Sequence, residues 1–264
     1  MTQSQVAVIT GGSRGIGHAI ASALIKRNIN VVIGDLLDKE GQAVVDAFNK
    51  EANKTVAAYK HTDVTKYKDL LGLFELAENM FGGVDIAILN AGTTQGFNML
   101  MEPMDVVANI NSIQDDADMF IHQVNVGGVT KGNKVALKFM HKRGGGTIIN
   151  TASMAGISAM SGLDNYVATK HAVVGWTRSL AYLNNACNVR VNAICPYWVV
   201  VDAALRCIDD SDLAGTTLLC LPDGVQQEEQ APPPVSCISE EMIQAIPEVE
   251  QYMAQTTRQA IAKL

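Results

Sequence analysis

Short β-branched runs recur along the chain, separated by stretches with helical spacing of apolar positions. The runs are VAVIT at 6–10, VVIG at 31–34, VAAYKH at 56–61, VDIAIL at 84–89, GTIINT at 146–151 and VRVNAI at 189–194. Residues 15–28, 39–52 and 66–81 repeat their apolar positions at helical intervals, and the longer connections after the fourth and fifth runs each have room for a long helix, with 163–186 reading as one. Runs that are apolar throughout, rather than alternating, belong to strands buried on both faces. Strands alternating with helices therefore predict an α/β fold, a doubly wound parallel sheet of six strands with helices on both faces. The rhythm stops after Ile194. Pro196, Pro222 and the run Pro232-Pro233-Pro234 interrupt 196–240, among acidic and glutamine-rich stretches, which predicts a mobile excursion or lid rather than core. From Glu240 helical spacing returns at Met242, Ile243, Ile246, Val249 and Met253, predicting a C-terminal helix over 241–264. No repeat and no second composition appears, so 1–264 reads as one domain with 1–195 as its core.

Composition narrows the function classes. A chain of 264 residues, 48% hydrophobic and 18% charged, is long enough for a sizeable core and too apolar to be disordered. A net charge of −7 argues against a nucleic-acid groove or an anionic membrane surface as partner. No apolar run approaches the ~20 residues that cross a bilayer. The opening MTQSQVAVITGG has no basic region and runs straight into a strand pattern, unlike a signal peptide. Cys187, Cys195, Cys207, Cys220 and Cys237 form no CxxC pair, and the histidines do not cluster, so free thiols in a reducing, cytoplasmic setting are expected and a metal site is not.

Two patterns carry candidate chemistry. TGGSRGIG, Thr10 to Gly17, closes the first strand and opens the first helix, where backbone amides and the helix dipole can receive a pyrophosphate. Asp35 ends the second strand, placed to accept from a ribose 2′-hydroxyl and to repel a 2′-phosphate, which favours NAD over NADP. Arg14, in the same loop, could instead meet a phosphate. The second pattern is DNYVATKHAVVGW, 164–176, in which Tyr166 and Lys170 lie four apart on one helix face. An ammonium beside a phenol favours the phenolate, so the pair can form a general base.

With these in hand the chain resembles the short-chain dehydrogenase/reductase family. Thr10-Gly11, Gly15 and Gly17, then Asp63-Val64, Asn90-Ala91-Gly92, Asn125, Ser153, Tyr166 and Lys170 stand in that family's order, with thirteen residues from Ser153 to Tyr166 and twenty-eight from Asn125 to Ser153. Asn125 fits better than Asn109 or Asn111, because Asn125-Val126-Gly127-Gly128 matches the family's N-x-x-G. The segment 93–120 is then longer than usual and is expected at the mouth of the site. The resemblance implies that Tyr166 exchanges a proton with a substrate hydroxyl or carbonyl, Lys170 supports it and holds the nicotinamide ribose, Ser153 bonds the same substrate oxygen, and Asn125 bends its helix and holds a water that completes a relay. It further implies that Ser13, Arg14 and Ile16 join the glycine loop around NAD, Asp63 and Val64 meet the adenine, Asn90, Ala91 and Gly92 border the adenosine, and Pro196 and Val199 lie by the nicotinamide. IINTASMAG followed by YVATKHAVVGWTRSLA is similar to hydroxyprostaglandin-dehydrogenase-type members, implying a fairly apolar hydroxylated or carbonyl substrate, and family members are mostly homodimers or homotetramers.

The chain also departs from the family. Tyr197 stands where the family has glycine after Pro196, and Val201 where it has threonine. The usual seventh strand is not evident; TTLLCL at 216–221 comes early for it, which implies either a truncated chain or a sheet one strand short with an open edge. The ending Ala262-Lys263-Leu264 resembles a peroxisomal address. Two rival readings follow: an NADP-dependent ketoreductase, and a cofactor-binding relative that no longer turns over.

Overall fold

The computed structural model describes residues 4–94, 115–197, 200–229 and 240–261. One sheet runs through it. Its strands are β1 (Val6–Thr10), β2 (Asn30–Asp35), β3 (Ala57–His61), β4 (Ile86–Leu89), β5 (Gly146–Thr151), β6 (Val189–Pro196), β7 (Thr217–Leu221) and β8 (Gly224–Gln227), in the spatial order β3-β2-β1-β4-β5-β6-β7-β8. All neighbours are parallel except β7 and β8. The helices are α1 (Gly15–Lys26), α2 (Asp38–Ala52), α3 (Tyr67–Phe81), α4 (Asp115–His122), α5 (Val129–Lys142), α6 (Asp164–Ser179), α7 (Leu183–Cys187), α8 (Val200–Asp209) and α9 (Glu240–Ile261). None of these is long and apolar enough to cross a membrane, among the described residues.

The inner strands carry apolar residues on both faces because each face has its own core. Val6, Val8 and Val32 join the cluster under α3, α5 and α6, while Ala7, Ile9, Val31 and Ile33 join the cluster under α1, α2 and α8. Burying each Ile or Leu side chain in this way is worth about 1.5–3 kcal/mol. The strand order reverses between β1 and β4, so the helices that follow them leave on opposite faces. A crevice opens there at the carboxyl ends of the strands, the place where such sheets receive ligands.

Two expectations are corrected. The sheet has eight strands rather than six, and TTLLCL is the missing seventh. β7 pairs in parallel with β6, Ala193 opposite Thr217 and Pro196 opposite Cys220. It comes early in sequence because a single ten-residue helix, α8, makes the whole crossover from β6. The open edge passes to β8, a four-residue antiparallel strand whose exposed Gln226 and Gln227 suit an edge position.

The second correction concerns the described part of 196–240, where 200–221 contributes a helix and a strand to the core rather than a lid. Ala203, Ala204, Cys207, Leu218 and Cys220 are completely buried within it. Its prolines misled because Pro196 ends a strand and Pro222 falls at the hairpin turn, both permitted places for proline. Trp198, Val199 and 230–239, with the prolines at 232–234, lie outside the described residues, as do 95–114 and Ala262-Lys263-Leu264. The stretch expected as one helix over 163–186 is two, α6 and α7, divided at Leu180.

Candidate active site

The loop between β1 and α1 is shaped by what its glycines must avoid. Gly11 and Gly15 have φ of +68° and +57°, the left-handed region open to glycine. A Cβ on Gly17 would collide with the Gly11 carbonyl oxygen and stand 2.8 Å from Asn90 Nδ2. Arg14 occupies the N-cap position of α1 without a side-chain cap, which leaves the first-turn amides facing the crevice for an outside acceptor. The loop is braced from two strands. Asp35 accepts from Ser13 N at 3.0 Å through Oδ2, and from Leu36 N at 2.8 Å and Leu37 N at 3.2 Å through Oδ1. Asn90 Nδ2 donates to the carbonyls of Thr10 at 3.1 Å and Gly11 at 3.0 Å, while Thr10 Oγ1 accepts from the amides of Asn90 and Ala91.

A cavity beside this loop is lined by Gly11, Arg14, Gly15, Ile16, Asp35 to Leu37, Thr62 to Val64, Asn90 to Thr93, Phe120 and Val124. It meets a second, lined by Thr151, Ala152, Ser153, Tyr166, Lys170, Pro196 and Tyr197; Arg14, Ile16, Asn90, Gly92 and Thr93 border both. Together they form one cleft across the switch point. Asp63 lies in its wall, but its carboxylate accepts from Thr65 N (3.0 Å) and Thr65 Oγ1 (2.7 Å) and sits 3.2 Å from Lys66 Nζ. Burial pushes this carboxyl up, and the Thr65 hydrogen bonds and Lys66 outweigh it and hold it below its ordinary value. A second acid stands behind Asp35: the Tyr59 hydroxyl spans the Asp35 carbonyl (2.8 Å) and the Asp38 carboxylate (2.7 Å), which also meets His61 Nδ1 at 2.8 Å.

At the other end α6 brings Tyr166 and Lys170 to the cleft on successive turns. Lys170 is 5% exposed; its Nζ donates to the Thr151 carbonyl at 2.9 Å and lies 5.6 Å from the centre of the Tyr166 ring. Burial pulls the Lys170 ammonium down to about 8. Ser153 follows β5 and its Oγ accepts from Ala155 N at 3.1 Å, a cap that fixes the hydroxyl at the cavity wall. Asn125 lies in a π-helical stretch, Gln123–Gly128, between α4 and α5. Its amide is fully engaged: Oδ1 accepts from Thr93 N (2.8 Å), and Nδ2 donates to Thr93 O (2.9 Å) and Thr169 Oγ1 (3.1 Å). Thr169 in turn donates to the Tyr166 carbonyl at 2.7 Å. Gly92 sits close to both, since a Cβ there would stand 3.2 Å from Asn125 Oδ1, a tight approach, and 3.6 Å from Lys170 Nζ.

The fold therefore brings Ser153, Tyr166, Lys170 and the glycine loop to one cleft, with Asn125 directly behind. Val201 packs into the core under α8 and is turned away from the cleft. Tyr197 lines the cleft with 63% of its surface exposed, its amide held by the Cys220 carbonyl at 3.2 Å. Val199 lies outside the described residues. Thr93, Thr151 and Thr169 were not singled out by sequence. Thr169 carried a signal, three residues after Tyr166 and next to Lys170; the other two act here through backbone atoms.

Residues 5–210 match the short chain dehydrogenase family, and the chain belongs to that family. Over 211 residues it is 31% identical to zerumbone synthase from Zingiber zerumbet, covering 80% of this chain and 74% of that protein. Over 193 residues it is 35% identical to 3beta-hydroxysteroid dehydrogenase 2 from Eggerthella lenta, covering 73% of this chain and 70% of that one. Among solved structures it resembles a single-residue variant of actinorhodin polyketide ketoreductase with NADPH, with a TM-score of 0.65 and 29% identity over 75% of this chain and 72% of that one. The relatives are oxidoreductases, and the family uses nicotinamide cofactors.

Proposed function

We propose that this protein is an NAD-dependent oxidoreductase that interconverts a secondary alcohol and a ketone on a fairly apolar molecule. The observation that carries the reading is the placement of Tyr166, Lys170 and Ser153 at one end of a cleft whose other end is the glycine loop and Asp35. Bound NAD supplies the hydride acceptor, and its reduced form the donor. In the oxidative direction Tyr166 takes the hydroxyl proton from the substrate, and Ser153 donates a hydrogen bond to the same oxygen as its charge changes. Lys170 lies behind Tyr166 and meets the ribose that carries the nicotinamide. Asn125, with its amide spent on Thr93 and Thr169, holds the helix bend and the Tyr166 segment in place. The first-turn amides of α1 take the pyrophosphate, and Asp35 the adenosine ribose.

Asp35 supports NAD because its carboxylate stands where a 2′-phosphate would add like charge, and Asp38 adds a second carboxylate close behind. The competing reading, an NADP-dependent ketoreductase, draws on Arg14 at the border of the two cavities and on the NADPH carried by the ketoreductase of similar structure. Titration of the purified protein with NADH and with NADPH, followed by nicotinamide fluorescence, separates the two. Tighter NADH supports the proposal, tighter NADPH transfers the case to the ketoreductase, and binding of neither removes the enzyme reading. Tyr166→Phe should lower turnover by two orders of magnitude or more, about the contribution of a general base, while leaving NADH affinity within a few fold. For the assembly we take the homodimer or homotetramer usual in the family, which light scattering on the purified chain checks.

A further inference from the structure

Behind the cleft a second chain of buried polar groups joins α5, β5 and α6. Asn133 Nδ2 donates to Asn150 Oδ1 at 2.9 Å, Asn150 Nδ2 donates to Thr177 Oγ1 at 2.9 Å, and Thr177 Oγ1 donates to the Val173 carbonyl at 2.8 Å. These side chains are 4%, 0% and 0% exposed. Two amides and a hydroxyl this deep, between two helices and a central strand, are costly unless paired, and an aliphatic trio would fill the same space without that cost. None of the three borders the cleft. Two of them nevertheless connect to a group that does. Asn150 precedes Thr151, whose carbonyl receives the Lys170 ammonium, and Thr177 lies seven residues beyond Lys170 on the same face of α6.

The π-helical stretch explains how one helical rod serves both chains. Asn125 and Asn133 are eight residues apart, and at about 100° per residue an unbroken α-helix would turn them about 80° away from each other. The extra residue taken up by the π turn brings the offset to about 20°, so both amides lie on one side of the rod, Asn125 reaching Thr169 on α6 and Asn133 reaching Asn150 on β5. Asn125 then grips the first half of that helix through Thr169, and Asn133 grips the second half through Asn150 and Thr177.

We propose that Asn133, Asn150 and Thr177 are positioning residues that set the seat of α6 along β5 and thereby hold the Lys170 Nζ–Thr151 carbonyl bond. A helix held only at its Asn125 end could slide against β5 and keep its apolar packing, because apolar contacts carry little directional information. The hydrogen-bonded chain fixes one seat. This rests on the function proposed above, in which Lys170 meets the cofactor ribose, and the test separates the two. The titratable groups that face Lys170 are Tyr166 on its own helix and the Cys195 thiol on β6, which burial pushes up to about 12, with Arg14 across the cavity. Lys170, which burial pulls down to about 8, is the group whose titration the test follows.

NADH alone is the probe, with its affinity measured by fluorescence from neutral to strongly alkaline pH. The wild type should lose affinity as pH rises through about 8, and Lys170→Met should show no such step. Thr177→Val and Asn133→Leu loosen the seat, admit water to the ammonium and should move the midpoint up toward the ordinary lysine value. Thr177→Ser keeps the hydroxyl and should leave it in place. General damage to the fold would weaken binding at every pH without moving the midpoint. Folded Thr177→Val with the wild-type midpoint overturns the proposal; if that variant does not fold, the same result in Asn133→Leu overturns it. A wild type that binds no NADH at any pH sinks the proposed function, and this inference falls with it.

Discussion

At the scale of single residues the site trades stability for chemistry, and Lys170 shows it most directly. An ammonium 5% exposed, with the Thr151 carbonyl as its hydrogen-bond acceptor, is an expensive thing to bury. Its proton affinity is depressed in the folded state, to about 8 from 10.5, so the folded chain binds fewer protons than the unfolded chain between those values. The penalty is absent above the ordinary lysine value, grows as pH falls from there, and is complete below about 8. Lys170→Met should therefore raise stability at neutral pH by about 1–3 kcal/mol while weakening NADH binding, read by thermal melts and fluorescence titration. A melting temperature that falls instead would mean the ammonium is better solvated than its burial indicates. Asp35 has a double task, since its carboxylate both faces the cleft and ties Ser13, Leu36 and Leu37. Asp35→Ala confounds the two; Asp35→Asn keeps an acceptor and removes the charge. We expect Asp35→Asn to shift the NADPH/NADH affinity ratio toward NADPH by about tenfold, roughly one charge interaction at short range in a polar site. Residues that bring a distinctive side chain to the cleft, such as Tyr166, Lys170 and Asp35, were legible in the sequence. The Thr151 carbonyl and the Thr93 backbone were not, because any residue supplies such atoms and only the fold decides which ones arrive.

At the scale of elements, legibility followed burial pattern and failed where turn-forming residues crowd a short element. β1 to β6 stand out as apolar runs, interrupted at positions such as Lys60, Arg190 and Asn192, since both faces of the sheet are covered. α8, β7 and β8 come in quick succession, with Pro222 and Asp223 at the hairpin, and the same residues that make tight connections look like a disordered tract when read in a row. One long-range contact secures this region. Arg190, on β6, donates through Nη1 to the carbonyls of Cys207 (2.7 Å), Asp210 (2.8 Å) and Leu213 (3.2 Å), and through Nη2 to Ile208 O (3.0 Å) and Thr147 Oγ1 (2.7 Å). It thus gathers carbonyls at and just beyond the end of α8, those of Cys207 and Ile208 lying in its last turn, and ties the crossover between β6 and β7 to β6. Arg190→Leu keeps an apolar stem but removes all of these donors and leaves the Cys207 and Ile208 carbonyls without the guanidinium, and should cost about 2–4 kcal/mol in a denaturant titration. A loss below about 0.5 kcal/mol, the ordinary scatter for surface changes, would show that water replaces the guanidinium without difficulty.

At the scale of the molecule, the sheet order places the cleft and the connection lengths decide what stands over it. Between β6 and α8 stand only residues 197 to 199, and among the described residues of that link Tyr197 lines the end of the cleft that holds Ser153, Tyr166 and Lys170. Where the family has a glycine, this chain brings a ring to the end of the cleft that holds Ser153, Tyr166 and Lys170. A ring there competes for volume with a bound nicotinamide, yet it also offers an apolar surface to a substrate. The two effects separate in one variant. Tyr197→Gly should bind NADH more tightly, by about threefold to tenfold, if the ring must move aside when the cofactor enters, a cost on the scale of immobilising one side chain. In the same variant the Michaelis constant for an apolar ketone should rise as the surface is lost. Unchanged NADH affinity would place the ring outside the cofactor's path, and the short link would then serve the substrate alone.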